Sequence, residues 1–147
     1  MSVELCREDG IYQAGGKLTA AWRISRVTLD RLEAVEVSVM WHTEGKGDED
    51  LHVVHFQRFD ENHIRRLGLA DEQSLKCGLP VTPLSYHGRL ISVRWCIRLR
   101  LFLSDGREVV TEQPFHLVSP GSGHKQIVSG YAEPPRETVR QTESALY

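Results

Sequence analysis

Three histidines around one charged loop are the residues of this sequence best suited to metal chemistry. His42 and His52 flank the segment 43–50, and His55 follows at the next strand pleat. A catalytic zinc ion takes three protein ligands and an ordered second shell of hydrogen bonds. Because residues three positions apart fall on opposite faces of a strand, at most two of the three side chains converge. The pattern predicts no metal ion and no cofactor, and a small-molecule or metal-dependent module around His42, His52 and His55 stays as an alternative function.

The segment 43–50 itself is a charged loop that contains glycine. Its carboxylates lack the alternating spacing and terminal glutamate of an EF-hand, and it lacks the frame of a phosphate-binding P-loop. A long charged loop on a rigid hairpin is a frequent place of contact with a partner. The sequence therefore predicts a partner-binding role for Lys46, Asp48, Glu49 and Asp50.

Serine and cysteine side chains show no arrangement for nucleophilic catalysis. Ser85 and Ser92 lie outside any nucleophile elbow, and no paired base accompanies them or the cysteines. Cys6, Cys77 and Cys96 are an odd number without CxxC spacing, which is typical of reduced thiols in a cytoplasm. The N-terminus has no apolar run and so predicts no secretory signal. We expect a cytoplasmic protein that is not an enzyme.

A row of arginines is the more serious candidate for binding. Arg94, Arg98 and Arg100 occupy alternate positions of one strand, where same-face residues repeat about every 6.6 to 7 Å. Such a stripe suits an acidic peptide or a phosphate group. The alternative is a solvated face on which the arginines pair with acids such as Glu36 and Glu112. The sequence predicts partner binding by this row and leaves both interpretations open.

Composition limits the class of partner. The chain has 147 residues, of which 40% are hydrophobic and 26% charged, as expected for one globular domain. A formal net charge of -2 gives no overall attraction to nucleic acid or anionic lipid. No segment approaches the roughly 20 apolar residues of a membrane span. We expect a protein partner, no nucleic acid and no integral membrane association.

The strand that carries the arginines fixes the fold class. Between Leu90 and Leu103 apolar residues alternate with polar ones, which indicates an antiparallel sheet with one buried face. The apolar positions are Ile91, Val93, Trp95, Ile97, Leu99, Leu101 and Leu103.

The turn after this strand follows from the side-chain pattern on both sides of it. If Thr111 and Phe115 are to share a face with Leu99, the loop must contain an odd number of residues. The three residues 104–106 satisfy this, with Gly106 in the left-handed conformation. The resulting register sets Arg98 opposite Glu112.

Six further segments read as strands: 3–6, 17–26, 34–43, 51–59, 75–79 and 107–117. In the third, Val35, Val37, Val39 and Trp41 are expected to face inward and Glu36, Ser38, Met40 and His42 outward. Residues 53–56 are all apolar or aromatic except His55, which suggests burial on both faces or a bulge. Residues 60–71 fit a short helical turn or a crossover. About seven strands predict an all-β, two-sheet antiparallel β-sandwich of the immunoglobulin-like kind over residues 1–118.

From residue 119 the composition changes. Glycine, proline and scattered charges replace the apolar residues, so the segment buries too little to order itself. The sequence predicts a flexible, disordered tail over residues 119–147.

Two blocks resemble a known family. The glycine loop before Leu18, with Gly15, Gly16 and Lys17, resembles the start of an arrestin amino-terminal domain. Residues 79–88 match that family's LP-x-x-P-x-S-Y-x-G block and precede an alternating strand. The resemblance covers residues 2–118, is close to small microbial members, and extends more distantly to the arrestin-like subunit of retromer. Arrestins proper have two sandwiches, whereas this chain has residues for one.

The resemblance implies a non-enzymatic adaptor or scaffold that binds a partner protein through a sheet face, an edge strand or loops. A self-assembling structural protein that pairs through its edge strands, and hence a homo-oligomer, is a further alternative.

Overall fold

The structure, a computed structural model, describes residues 2–24, 31–67, 72–120 and 135–141. Within these ranges the chain forms ten strands and one short helix. The strands are β1 (Ser2–Leu5), β2 (Ile11–Gln13), β3 (Lys17–Arg23), β4 (Leu32–Gly45), β5 (Leu51–Phe59), β6 (Gln73–Gly78), β7 (Tyr86–His87), β8 (Ile91–Leu103), β9 (Arg107–Val118) and β10 (Arg136–Gln141), and the helix is α1 (Glu61–Leu67).

The described strands form two sheets. The smaller sheet has the order β1-β3-β6, and the larger has the order β10-β9-β8-β4-β5, with β2 added to β9 and β7 added to β8. Every pair is antiparallel except β2 with β9, which is parallel. The all-β prediction is confirmed, and the expectation of a wholly antiparallel arrangement is corrected at β2.

The sequence predicted about seven strands and missed three. β2 and β7 span only three and two residues, too few to show an alternating pattern. β10 lies in the segment predicted as a disordered tail. The other tail residues, 121–134 and 142–147, lie outside the described residues.

Both sheets contribute to one hydrophobic core. Trp22 of β3 and Trp95 of β8 are almost fully buried in it, whereas Trp41, predicted to join them, packs at its margin and is only partly buried. The smaller sheet supplies Leu18, Ala20, Trp22 and Leu75, and the larger supplies Val35, Val37, Val39, Trp95, Ile97, Leu99, Leu101, Phe115 and Leu117.

The hairpin between β8 and β9 has the predicted register. Leu99 pairs with Thr111, and Arg98 pairs with Glu112. Gly106 closes the turn with a φ of 85°, a conformation that costs glycine little because it has no Cβ. The odd loop length thus keeps the core residues of both strands on one face.

The opposite face of the larger sheet, called the outer face below, is less open than predicted. Ser38 and Met40 of β4 point to this face as expected, yet they are only 6% and 1% exposed. Cys96, the register partner of Met40 on β8, is also 1% exposed. Long charged side chains at neighbouring positions can cover such short ones. The outer face therefore contains a buried central row.

In the ambiguous segment after β5, residues 61–67 form the helix α1, and residues 68–71 lie outside the described ranges. The Asp60 carboxylate accepts a hydrogen bond from the His63 backbone N–H at 3.0 Å, as an N-cap residue does. Ile64 anchors α1 to the core and is 8% exposed. No helix in the described ranges is long and apolar enough to cross a bilayer.

The proline-containing block 79–88 closes one end of the larger sheet. The Trp95 indole N–H donates to the Pro83 carbonyl at 2.8 Å. Ser85 bonds twice to the Leu117 backbone, donating its N–H to the carbonyl at 2.9 Å and accepting the amide N–H on its hydroxyl at 2.8 Å. β7 then pairs with Ser92 and Val93 of β8. The prolines thus sit outside the ladder, as their missing N–H requires.

Candidate functional site

The outer face is built from cross-strand rows that run from β5 through β4 to β8. In each row the register partners on three strands place their side chains on the same side of the sheet. The rows are Leu51, His42 and Arg94; Val53, Met40 and Cys96; Phe56, Ser38 and Arg98; and Arg58, Glu36 and Arg100. The predicted arginine row therefore lies on the same face as the outward side chains of β5.

Each predicted arginine has a carboxylate partner on a neighbouring strand. Arg94 lies 2.7 Å from Glu44, and Arg98 lies 2.8 Å from Glu112. Arg98 donates from two nitrogens to the same Glu112 oxygen, at 3.1 and 2.8 Å. These guanidinium groups would have to exchange an internal carboxylate for a partner's in order to bind an acidic ligand.

Arg100 contacts the two most buried carboxylates of this network. It lies 2.7 Å from Glu108, whose side chain is 8% exposed, and 3.5 Å from Glu36. Arg58 of β5 lies 2.6 Å from the other Glu36 oxygen. The Arg58 and Arg100 guanidinium groups also contact the Phe102 ring, at 5.5 and 5.1 Å from its centroid. The network links β5 to β8 and β9.

Glu44 gathers three cationic or hydrogen-bonding neighbours near the end of β4. His42 lies 3.1 Å away, Arg94 2.7 Å and Arg136 of β10 3.7 Å. Partial burial acts to raise the pKa of Glu44, but the His42 hydrogen bond and the charges of Arg94 and Arg136 outweigh it, so the pKa is lowered. This carboxylate is held in its charged form.

The only fully buried thiol faces the same network. Burial, reinforced by the Glu112 carboxylate, raises the pKa of Cys96 to about 12. Its sulfur lies 3.9 Å from Glu112, to which the thiol donates. Since the thiolate is the nucleophile, Cys96 stays unreactive at neutral pH.

The three histidines do not form a common site. His42 lies on the outer face, whereas the His52 ring packs beside the Trp41 ring on the core side, with centroids 6.0 Å apart. The prediction that His52 and His55 lie on opposite faces is wrong. The register of β5 shifts between Val53 and His55, and this bulge turns both histidines to the core side. In the described ranges, no group of three or more His, Cys, Asp or Glu side chains could hold a metal ion.

The charged loop forms the tip of the hairpin between β4 and β5. The Thr43 N–H donates to the Asp50 carbonyl at 2.9 Å, and the Thr43 hydroxyl accepts the Asp50 N–H at 2.8 Å. Gly45 has a φ of 137°, and a Cβ there would collide with the Leu90 carbonyl oxygen. The predicted residues Lys46, Asp48, Glu49 and Asp50 are exposed and lead directly into β5.

β5 presents an apolar surface that the sequence did not reveal. Leu51, Val53 and Phe56 are 53%, 39% and 52% exposed. The apolar run suggested burial on both faces or a bulge; the bulge is confirmed, and the burial is wrong. β5 is the terminal strand of the larger sheet, and exposure there follows from sheet order, for which the local sequence has no signal.

The backbone of β5 also directs hydrogen-bonding groups away from β4, toward the outer edge of the sheet. Alternate residues of an antiparallel strand direct their N–H and C=O groups to opposite sides. Because the Thr43 N–H bonds to Asp50, the groups of Leu51 point away from β4, and beyond the bulge those of Phe56 and Arg58 do so too. Among the described residues no other strand pairs with this edge.

No protein-family model and no curated protein matches this chain. The arrestin-like resemblance therefore stays a prediction from the sequence blocks.

Proposed function

We propose that this chain is a non-enzymatic adaptor, an arrestin-like β-sandwich that binds an extended segment of a partner protein along the outer edge of β5. The outer edge of β5 carries the proposal, because it combines exposed apolar side chains with backbone groups that pair with no strand among the described residues. Strand addition draws affinity from backbone hydrogen bonds and specificity from alternate side chains. Both components are available at this edge.

The surface defines the chemistry of the segment that fits. Apolar side chains of the partner would lie beside Leu51, Val53 and Phe56 on the outer face. An acidic side chain suits the other end, where the Arg58 side chain is 51% exposed. Lys46, Asp48, Glu49 and Asp50 would contact the partner where the segment passes the hairpin tip. The row Arg94, Arg98 and Arg100 lies farther inward, where partner carboxylates would compete with the internal ones.

The proposed compartment is the cytoplasm. Cys6, Cys77 and Cys96 are all free thiols, and the structure forms no disulfide between them. Unpaired cysteines suit a reducing compartment.

A matched pair of valine substitutions tests the β5 edge. Val53→Lys places a charge in the proposed interface, whereas Val81→Lys places one at an exposed valine outside β5, where Val81 is 68% exposed. We expect a partner captured by the tagged wild-type chain from native lysate, and identified by mass spectrometry, to bind Val53→Lys at least about tenfold more weakly, equivalent to about 1.4 kcal/mol. Binding to Val81→Lys should equal that of the wild type.

Two results would contradict the proposal. One is the absence of any specific partner of the wild-type chain. The other is a partner whose affinity Val53→Lys and Val81→Lys change equally. Circular dichroism of both variants shows whether a loss of binding comes from unfolding.

Self-assembly through the same edge is a second candidate, favoured by the bulge in β5. The bulge brings Val53 and Phe56 to one face, so two antiparallel copies of β5 can place Val53 of one beside Phe56 of the other. Within β5 the same register sets Arg58 beside Leu51 and opposes no like charges. Light scattering over a range of concentrations detects such a dimer, and Val53→Lys should dissociate it.

A further inference from the structure

On the opposite side of the larger sheet, two other strands of the chain cover the outer edge of β9. β9 pairs with β8 along one side, and its other side is divided between two strands. β2 covers residues 116–118, and β10 covers residues 107–112. The connection 119–135 between β9 and β10 is much longer than the roughly two to five residues that a hairpin needs.

The backbone of β9 supplies a regular row of N–H donors and C=O acceptors for β10. The His116 N–H donates to the Gly10 carbonyl on the β2 side at 2.8 Å. Alternation along the strand then directs the groups of Glu112, Val110 and Glu108 to this same side. Pro114, which has no N–H to donate, falls on this side in the gap between β2 and β10. The hydrogen-bonding groups of β9 are thus continuous where β10 pairs and are interrupted at Pro114, where no described strand pairs.

Charge along β9 matches the residue types of β10. Arg136 is the register partner of Glu112, and Arg140 is the register partner of Glu108, with Thr138 opposite Val110 between them. The row Arg98, Glu112 and Arg136 therefore alternates in charge across three strands. The Arg136 guanidinium also reaches Glu44, at 3.7 Å.

The described side chains of β10 are exposed, whereas β9, the strand with which it pairs, has buried residues. Residues 135–139 are all exposed, including Val139 at 56%. Glu108 and Val110 of β9 are 6% and 5% exposed. The backbone ladder with β9 and the Arg136–Glu44 ion pair hold β10 with little apolar burial, so an equivalent strand can replace it.

We propose that the outer edge of β9 is a second binding site, which accepts a basic extended segment of a partner protein with arginines four positions apart. β10 occupies this site in cis and shows the sequence that fits it. A partner segment binds by displacing β10 and pairing with Glu108, Val110 and Glu112. This site is independent of the β5 edge.

Proline substitutions in the full-length chain test this site. Thr138→Pro removes an N–H that faces β9, whereas Val139→Pro removes one that faces away and serves as the matched control. The probe is a fluorescent peptide of residues 135–141, followed by anisotropy. If β10 fills the site in at least about nine of ten wild-type molecules, the site is free in at most about one in ten. The apparent affinity of the wild-type chain for the peptide is then about tenfold or more below that of the open site. We therefore expect Thr138→Pro to bind the peptide at least about tenfold more tightly than the wild type or Val139→Pro do.

The same peptide with Arg136→Glu tests the charge pattern and should bind Thr138→Pro at least about tenfold more weakly. Equal binding of the peptide to all three chains, no binding to any of them, or equal binding of both peptides would overturn the proposal. Val53→Lys should leave peptide binding unchanged, so failure here and failure at β5 are distinguishable.

A second measurement covers the case in which Thr138→Pro does not fold. Full-length Arg136→Glu should show faster amide hydrogen exchange at Glu108, Val110 and Glu112 than the wild type, because β10 detaches more often. Unchanged exchange would overturn the proposal. The wild-type chain could also form a concentration-dependent dimer that Thr138→Pro abolishes. That result would show that the strand entering the site is β10 of a second copy, and it would overturn the proposal of a partner segment.

Discussion

Ser85→Ala should destabilise the fold by leaving one buried amide without a partner. The pairing of β8 with β9 ends at Trp95 and Phe115, because β7 takes the place of β9 beside Val93. The next groups of β9 that face this side belong to Leu117, which is 0% exposed. Ser85 bonds to both of them, and its hydroxyl receives the Leu117 N–H at 2.8 Å. The hydroxyl therefore replaces a ladder hydrogen bond at the end of the sheet.

The expected magnitude follows from which bond is lost. Alanine keeps the bond from the residue 85 N–H to the Leu117 carbonyl and removes only the acceptor of the Leu117 N–H. A buried donor left without a partner costs about 1 to 3 kcal/mol. Water cannot reach this amide unless the block 79–88 moves. We expect Ser85→Ala to lower the free energy of unfolding by about 2 kcal/mol.

Urea denaturation followed by tryptophan fluorescence measures this loss. Ser104→Ala is the matched control, since Ser104 is exposed in the β8–β9 turn and its substitution should change stability by less than about 0.5 kcal/mol. Ser85→Thr keeps a hydroxyl and should recover part of the loss. The reasoning is refuted if Ser85→Ala costs no more than Ser104→Ala, or if Ser85→Thr is as unstable as Ser85→Ala.

Two further predictions concern titratable groups, a glutamate and the three cysteines. The pKa of Glu44 lies below its ordinary value of 4.5, so its pairing stabilises the fold above about pH 4.5 and is lost as the pH falls through the lowered pKa. Urea titrations should show a stability advantage of the wild type over Glu44→Gln that is constant near neutral pH and shrinks below about pH 4.5; an advantage that grows on acidification would contradict this sign. Iodoacetamide should label the exposed Cys6 first, then Cys77, whose pKa burial raises, and Cys96 only on unfolding. Native labelling of Cys96 as fast as Cys6, measured by mass spectrometry, would show that its burial is transient.

The hairpin from β8 to β9 shows what the sequence determines about this fold. Side chains with a period of two must keep one face toward the core, so the parity of the turn and the register follow from local information. Gly106 and the pair of Arg98 with Glu112 could therefore be predicted residue by residue. β7 and β2 could not, because each forms only where a longer strand offers a free side.

The candidate site could be predicted from the sequence only in part, because local patterns reveal the loop but not the strand order. Lys46, Asp48, Glu49 and Asp50 are recognisable as a charged loop from composition alone. The exposed apolar residues of β5 look in the sequence like those of a buried strand. Their exposure depends on β5 being last in the order β9-β8-β4-β5, and strand order is a non-local property. The faces of His52 and His55 depend in turn on a bulge of one residue.

The two edges of the larger sheet differ in a way that bears on their roles. Natural proteins protect edge strands with short lengths, prolines, inward charges, bulges or a covering segment. The β9 edge has Pro114 and is covered by β2 and β10. β5 is nine residues long and has neither proline nor lysine, and its bulge is the one such feature in the strand. That bulge increases the exposed apolar surface by bringing Val53 and Phe56 to the same face. An edge shaped in this way suits the proposed pairing with a partner strand. The β9 edge, which is already covered, suits the proposed replacement of β10 by a partner segment.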